Sequence, residues 1–174
     1  MTLSLIKRYY LYNAWANNRL VKALEKLTPA QLAEPGCSGN GSVMQTLSHL
    51  LNTEYEWFQW HSKEERGDGV KIESLEEALD GGNITSLDEA QKWLVIIDTQ
   101  TQNFLNTLTE EMLHQERSFT MRDGSRRSVL LWELLLHTAN HATHTRAQII
   151  AAIRRNNINP GGFDLLHFMM LGKN

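Results

Sequence analysis

The sequence predicts an all-α fold: an up-down four-helix bundle with a long crossover, and a small β-hairpin before the last long helix. Three observations predict it. The three prolines stand at positions 29, 35 and 160, so the long tracts between them are free of the residue that most strongly ends helices. Those tracts carry apolar residues at steps of three and four, which places them on one helical face. Asp123-Gly124, between short polar-alternating runs, is instead a hairpin signal.

The first helix follows the stripe Leu3, Ile6, Tyr9, Tyr10, Asn13, Ala16, Leu20, Val21, Leu24 and Leu27. Thr28-Pro29-Ala30-Gln31 then offers a threonine cap, proline at the first helical position and glutamine at the third, a short helix start. Pro35 and Gly36, Gly39 and Gly41 make an irregular connection. Ser42 with Gln45 is a capping box for the second helix, whose stripe is Val43, Leu47, Leu50, Leu51, Tyr55 and Phe58, ending near Trp60–His61. Residues 62–85 are polar and glycine-broken, the long crossover, with one helical turn at Leu75–Leu79. Ser86 with Glu89 caps a third helix with a core face of Ala90, Trp93, Leu94, Ile97, Thr101, Phe104, Leu105 and Leu108. The hairpin over 115–127 leads to Ser128 and a fourth helix running to about Arg155, and the apolar tail FDLLHFMMLG docks as a terminal turn.

The chain of 174 residues reads as a single domain over 1–174, long enough to bury a core without staples. Seventeen basic and twenty acidic residues give a net charge of −3 with no basic run. Nucleic acid is therefore not an expected partner. No apolar run approaches the ~18 residues of a membrane span, and the amino terminus lacks the pattern of a signal peptide. Cys37 has no second cysteine to pair with and fits a reducing compartment. The expectation is a cytoplasmic protein with no membrane or nucleic-acid partner.

Unusual chemistry is concentrated in WELLLHTANHATHTRAQIIAAI, residues 132–153, which holds His137, His141 and His144. At ~100° per residue, His137 and His144 each fall within about 60° of His141, so all three project from one side of the helix. An i, i+4 pair of imidazoles is what a transition metal needs from one helix. His49, two turns into the second helix, is the candidate from a facing element. The plain alternative for each histidine is a ring satisfied by a carbonyl or a polar neighbour.

Four stretches carry a resemblance to a known family. YNAWANNRLVKAL, GSVMQTLSHLLNTEYEW, LWELLLHTANHATHTRAQI and FDLLHFMM resemble the first, second, fourth and C-terminal segments of the DinB/YfiT-like family. The resemblance covers nearly the whole chain. It implies a four-helix bundle, commonly a homodimer. It also implies a metal held by one histidine of the second helix and two of the fourth, in an Asn-His-x-x-x-His-Arg arrangement. Carried over, the first ligand is His49 and the second is His141, preceded by Asn140. The third falls at position 145, where this chain has Thr145. A threonine hydroxyl is a poor ligand for zinc or nickel beside imidazole. His137, in the i, i+4 relation to His141, is the first substitute, and His144, about 100° from position 145, the second.

Two function classes follow. One is an enzyme, since the resemblance implies metal-dependent transferases or isomerases that use a low-molecular-weight thiol and a small-molecule substrate. The other is a non-catalytic dimeric bundle whose metal site is degraded at Thr145. Other candidates carry less. Arg146 and Gln148 are expected in surface ion pairs or polar contacts, and Asn140 to orient a ligand or join helices. Trp57, Trp60, Trp93, Trp132, Tyr9, Tyr10 and Tyr12 are expected in core or interface. His61, His114 and His167 are expected in solvent, and Cys37 lacks a visible base.

Overall fold

Each long helix forms where a cap meets an apolar stripe. The computed structural model describes residues 2–39, 41–62, 84–120 and 124–172. Its elements are α1 (Leu3–Leu24), α2 (Pro29–Ala33), α3 (Val43–Ser62), α4 (Leu87–Thr107), α5 (Glu110–Leu113), β1 (Glu116–Thr120), β2 (Arg126–Leu130), α6 (Leu131–Arg155) and α7 (Leu165–Met170). The Thr28–Gln31 capping box of α2 is complete. At α3 the Ser42 amide donates to Gln45 Oε1 at 2.8 Å and the Gln45 amide to Ser42 Oγ at 3.1 Å, so two end amides are satisfied reciprocally. At α4 the box shifts by one residue. Ser86 Oγ accepts from the Glu89 amide at 3.2 Å, while the Glu89 carboxylate accepts from the Thr85 amide at 2.9 Å.

The fourth long helix begins later than Ser128. That residue lies in β2, and the helix starts at Leu131 with the Glu133 carboxylate accepting from the Leu130 amide at 2.8 Å. The reason is strand pairing: β1 and β2 run antiparallel from Glu116 opposite Leu130 to Thr120 opposite Arg126. Gly124 takes a φ of 81°, as the turn demands, and residues 121–123 of the turn lie outside the described residues.

Two apolar clusters reveal how the helices run. One joins Leu20 and Leu24 at the end of α1, Leu47 and Leu50 near the start of α3, Ala90 and Leu94 at the start of α4, and Ile149 and Ile153 at the end of α6. The other joins Ile6 and Tyr10 of α1 to Leu105 of α4 and to Leu131 and Leu135 of α6. Hence α1 and α6 run in one sense, and α3 and α4 in the other. Each buried leucine contributes about 1.5–3 kcal/mol relative to exposure. Same-sense neighbours such as α3 and α4 need a connection as long as the bundle, the role that the sequence gives to 62–85. Most of that stretch, with the helical turn expected at Leu75–Leu79, lies outside the described residues. The terminal segment docks as α7, whose Phe168 is buried against Tyr12 and Ala16 of α1. Among the described residues no helix is long and apolar enough to cross a membrane.

Candidate metal centre at the α3–α6 seam

The residues of α3 and α6 that meet are set by antiparallel packing. His49 lies beside His141 with ring centroids 5.2 Å apart and planes at 71°. Further along the same seam, Trp57 meets His137 edge-on, also at 5.2 Å. The rings of His137 and His141 are 6.4 Å apart. The imidazole of the second long helix and the central one of the last therefore converge.

The convergence is at an open seam. His49, His137, Asn140 and His144 are exposed, and His141 is half-buried. The bundle's inner face is taken by Thr138, Thr145 and Arg146, all buried. Thr145, at the position of the third ligand, is 2% exposed and thus turned deeper than the rings on either side.

His141 is the ring best prepared to hold a metal. Burial, then the neighbouring His49, His137 and His144, push its pKa below the ordinary histidine value, which favours the neutral ligand form. Its Nδ1 is buried and has no hydrogen-bond partner among the described residues. With metal–nitrogen bonds of about 2.1 Å, two imidazoles on one tetrahedral ion place their ring centres about 5 Å apart. The His49–His141 pair fits that spacing, and the His137–His141 pair is wider. His144 is engaged elsewhere, its Nε2 sharing a 3.1 Å hydrogen bond with the Gln148 amide. Among the described residues no three His, Cys, Asp or Glu side chains come together as a set that could hold a metal ion. The fit is thus that of a two-histidine site with open positions.

Behind the seam lies a buried polar belt, placed between the two apolar clusters. Arg146 donates through Nη1 to Asn13 Oδ1 at 2.6 Å and Asn17 Oδ1 at 2.7 Å, and through Nη2 to Thr143 Oγ1 at 2.9 Å. Its guanidinium lies 5.6 Å from the Tyr12 ring centre. The same asparagines donate to Glu54, Asn13 at 3.1 Å and Asn17 at 2.8 Å. Burial drives the Glu54 carboxyl upward in pKa, while the asparagine bonds and the Arg146 charge draw it back. Tyr10 donates its hydroxyl to the Leu135 carbonyl at 3.0 Å, and burial, reinforced by Glu54, pushes its phenol well above the usual range. A small cavity bordered by Tyr10, Glu54, Thr101 and Thr138 adjoins this group.

Arg146 is therefore not a surface residue, contrary to the expectation from its charge. It is 2% exposed, and its partners are the Thr143 hydroxyl and two neutral amides that relay to the Glu54 carboxylate. The stripe through Asn13 and the position of Glu54, three and four residues from Leu51 and Leu50 on the core face, are the sequence signals that point to this belt. Gln148 is half-buried and lies against Gly39, where any Cβ would collide with its amide. His167 is half-buried and meets the Trp15 ring at 5.9 Å, so it too departs from the solvent position expected of it. His114 is exposed as expected, and the side chain of His61 lies outside the described residues. Cys37 is a free, half-buried thiol packed at the edge of the larger apolar cluster. Tyr10 and Tyr12 are buried, the core positions expected of them, while the half-buried Trp93 packs edge-on against Tyr55 at 5.5 Å at the edge of the larger apolar cluster.

No curated protein matches the chain. A family model described as the DinB family matches residues 1–172. With a four-helix bundle in place and nearly every residue covered, the chain belongs to the DinB family.

Proposed function

We propose that this DinB-family protein binds one divalent transition metal, zinc or nickel, through His49 and His141 at the α3–α6 seam. The observation that carries the reading is the pair itself: two imidazoles from different helices at 5.2 Å, one with a buried Nδ1 that has no partner among the described residues. His137 is the first candidate to complete the shell, since it is exposed and one turn from His141; His144 is the second. A metal at this place would act as a Lewis acid, lowering the pKa of a coordinated water or thiol. In support, the seam is open, burial and neighbouring histidines favour the neutral form of His141, and a buried belt holds the ligand-bearing helices; such a seam would admit a small-molecule substrate and a low-molecular-weight thiol. The reaction class proposed is a metal-dependent, thiol-using transfer or isomerisation.

A homodimer is part of the proposal, and exposed apolar side chains supply surface for it, among them Leu11 of α1, Val95 and Ile96 of α4 and Met170 of α7. We also infer cytoplasmic residence, on the unpaired Cys37.

Thr145 favours a second reading, a non-catalytic bundle. It stands buried where a third imidazole would be needed. Elemental analysis of tag-free protein, before and after His49→Ala, separates the two. About one metal ion per chain that disappears in the variant supports the metalloprotein. Protein that carries no metal even after incubation with zinc or nickel supports the non-catalytic bundle.

A further inference from the structure

We propose that the Asn13–Asn17 pair of α1 is the positioning device that sets how closely His49 and His141 approach. Its value for metal binding rests on the metal reading above; the helix geometry it fixes does not.

Both asparagines use both ends of their amides, and on the same two partners. Each Oδ1 accepts from Arg146 of α6, and each Nδ2 donates to Glu54 of α3. All four side chains are buried. Glu54 follows His49 by five residues on α3, and Arg146 follows His141 by five on α6. Five residues turn a helix by about 140°. In each helix one side chain therefore faces the open seam and the other the interior belt. The belt end of each helix is tied to α1, and the seam end carries the imidazole.

The linkage is two-sided. Helix α1 packs against α4 and α6, and α3 packs against the same two helices, so α1 and α3 face each other across the bundle. The Asn–Glu54 bonds span that diagonal, and the Asn–Arg146 bonds cross to the neighbouring helix. Rotating α3 or α6 enough to part the two rings would break a pair of charge-assisted bonds in a dry interior, where an unpaired charge is costly. Apolar packing alone would allow several rotations of similar energy; this four-residue network selects one.

The test reads ring-to-ring proximity without a metal. In a Cys37→Ser background, His49→Cys with His141→Cys gives a thiol pair that dibromobimane bridges only when the sulfurs are close. Bridging is measured in that protein and after adding Asn17→Ala or, separately, Glu54→Gln, which keeps shape but lacks a second acceptor oxygen. Asn18→Ala is the control, because Asn18 bonds Asp98 and Gln91 and touches neither Glu54 nor Arg146 in the network. Zinc affinity is measured in parallel on the histidine-bearing proteins, and helix content by circular dichroism on all.

Bridging is expected to slow several-fold with Glu54→Gln, and with Asn17→Ala where that variant folds, while Asn18→Ala bridges at the parent rate. Zinc affinity is expected to fall roughly 10- to 100-fold, the usual effect of losing a group that orients a ligand. Folded Glu54→Gln protein that bridges at the parent rate overturns the proposal. So does an equal loss in Asn18→Ala, which would mean general loosening. If bridging slows but the parent takes up no zinc, the positioning stands and the metal reading falls.

Discussion

Asn18 of α1 donates its side-chain amide to the Asp98 carboxylate of α4 across 3.1 Å, where the two helices meet and both side chains are half-buried. Burial first, and the nearby Glu54 charge second, raise the Asp98 pKa to about 7. In the unfolded chain the same carboxyl ionises near pH 4. Between these values the unfolded state sheds a proton that the folded state keeps. Asp98 therefore subtracts stability progressively as pH rises from about 4 to 7, and by a constant amount above that. Asp98→Asn, which can still accept from Asn18, is expected to be more stable than the parent by on the order of 2 kcal/mol at pH 8. The advantage should vanish near pH 4. Urea unfolding of both proteins across pH 4–8 checks this, and a pH-independent difference would contradict it.

Among the described residues, Arg146 supplies the one charge opposite to that of Glu54 in the groups that hydrogen-bond Asn13 and Asn17. Arg146→Met keeps bulk but strips two asparagine oxygens of their donor and leaves Glu54 without its counter-charge. A loss of about 3–5 kcal/mol is expected, as for other buried ion networks broken on one side. Chemical denaturation measures it, and a loss below about 1 kcal/mol would mean that the belt is well solvated after all.

Thr145→His should move two quantities in opposite directions. The larger ring must fit a position that is 2% exposed, so the metal-free protein is expected to lose about 1–3 kcal/mol to overpacking. With zinc present the added imidazole, one turn from His141, is expected to raise affinity at least about tenfold. Thermal unfolding with and without zinc reports both. Unchanged zinc affinity would count against position 145 as the third-ligand position.

The bundle was legible because caps and periodic apolar residues act locally. Thr28 with Gln31, and Ser42 with Gln45, declare their helices within four residues. The start of α6 was less legible, since Ser128 is a plausible cap until β1 claims it as a strand partner. The His49–His141 pairing could be proposed from the family resemblance together with the histidine spacing, but the exposure of the seam could not. Exposure depends on how α3 and α6 rotate against each other, and neither sequence stretch encodes that alone. The burial of Arg146 is hidden in the sequence for a related reason. A charge on a helix usually finds water, and its burial is paid for by Asn13 and Asn17, more than 120 residues away in the chain.

Ser42→Ala is expected to cost about 1 kcal/mol, because the Gln45 amide loses its acceptor at the start of the helix that carries His49. A fall in melting temperature of roughly 2–4 °C corresponds to that loss for a chain of this size. Differential scanning calorimetry is sufficient to see it, and an unchanged melting temperature would mean that the cap is replaced by solvent at no cost.

Zinc titration by calorimetry, on tag-free protein stripped of metal, bears most directly on the two converging imidazoles. The expected result is one binding event per chain that is abolished by His49→Ala and equally by His141→Ala, while His114→Ala, an exposed residue outside α3 and α6, binds as the parent does. Binding that survives both seam substitutions, or no binding in the parent, would contradict a metal centre held by His49 and His141.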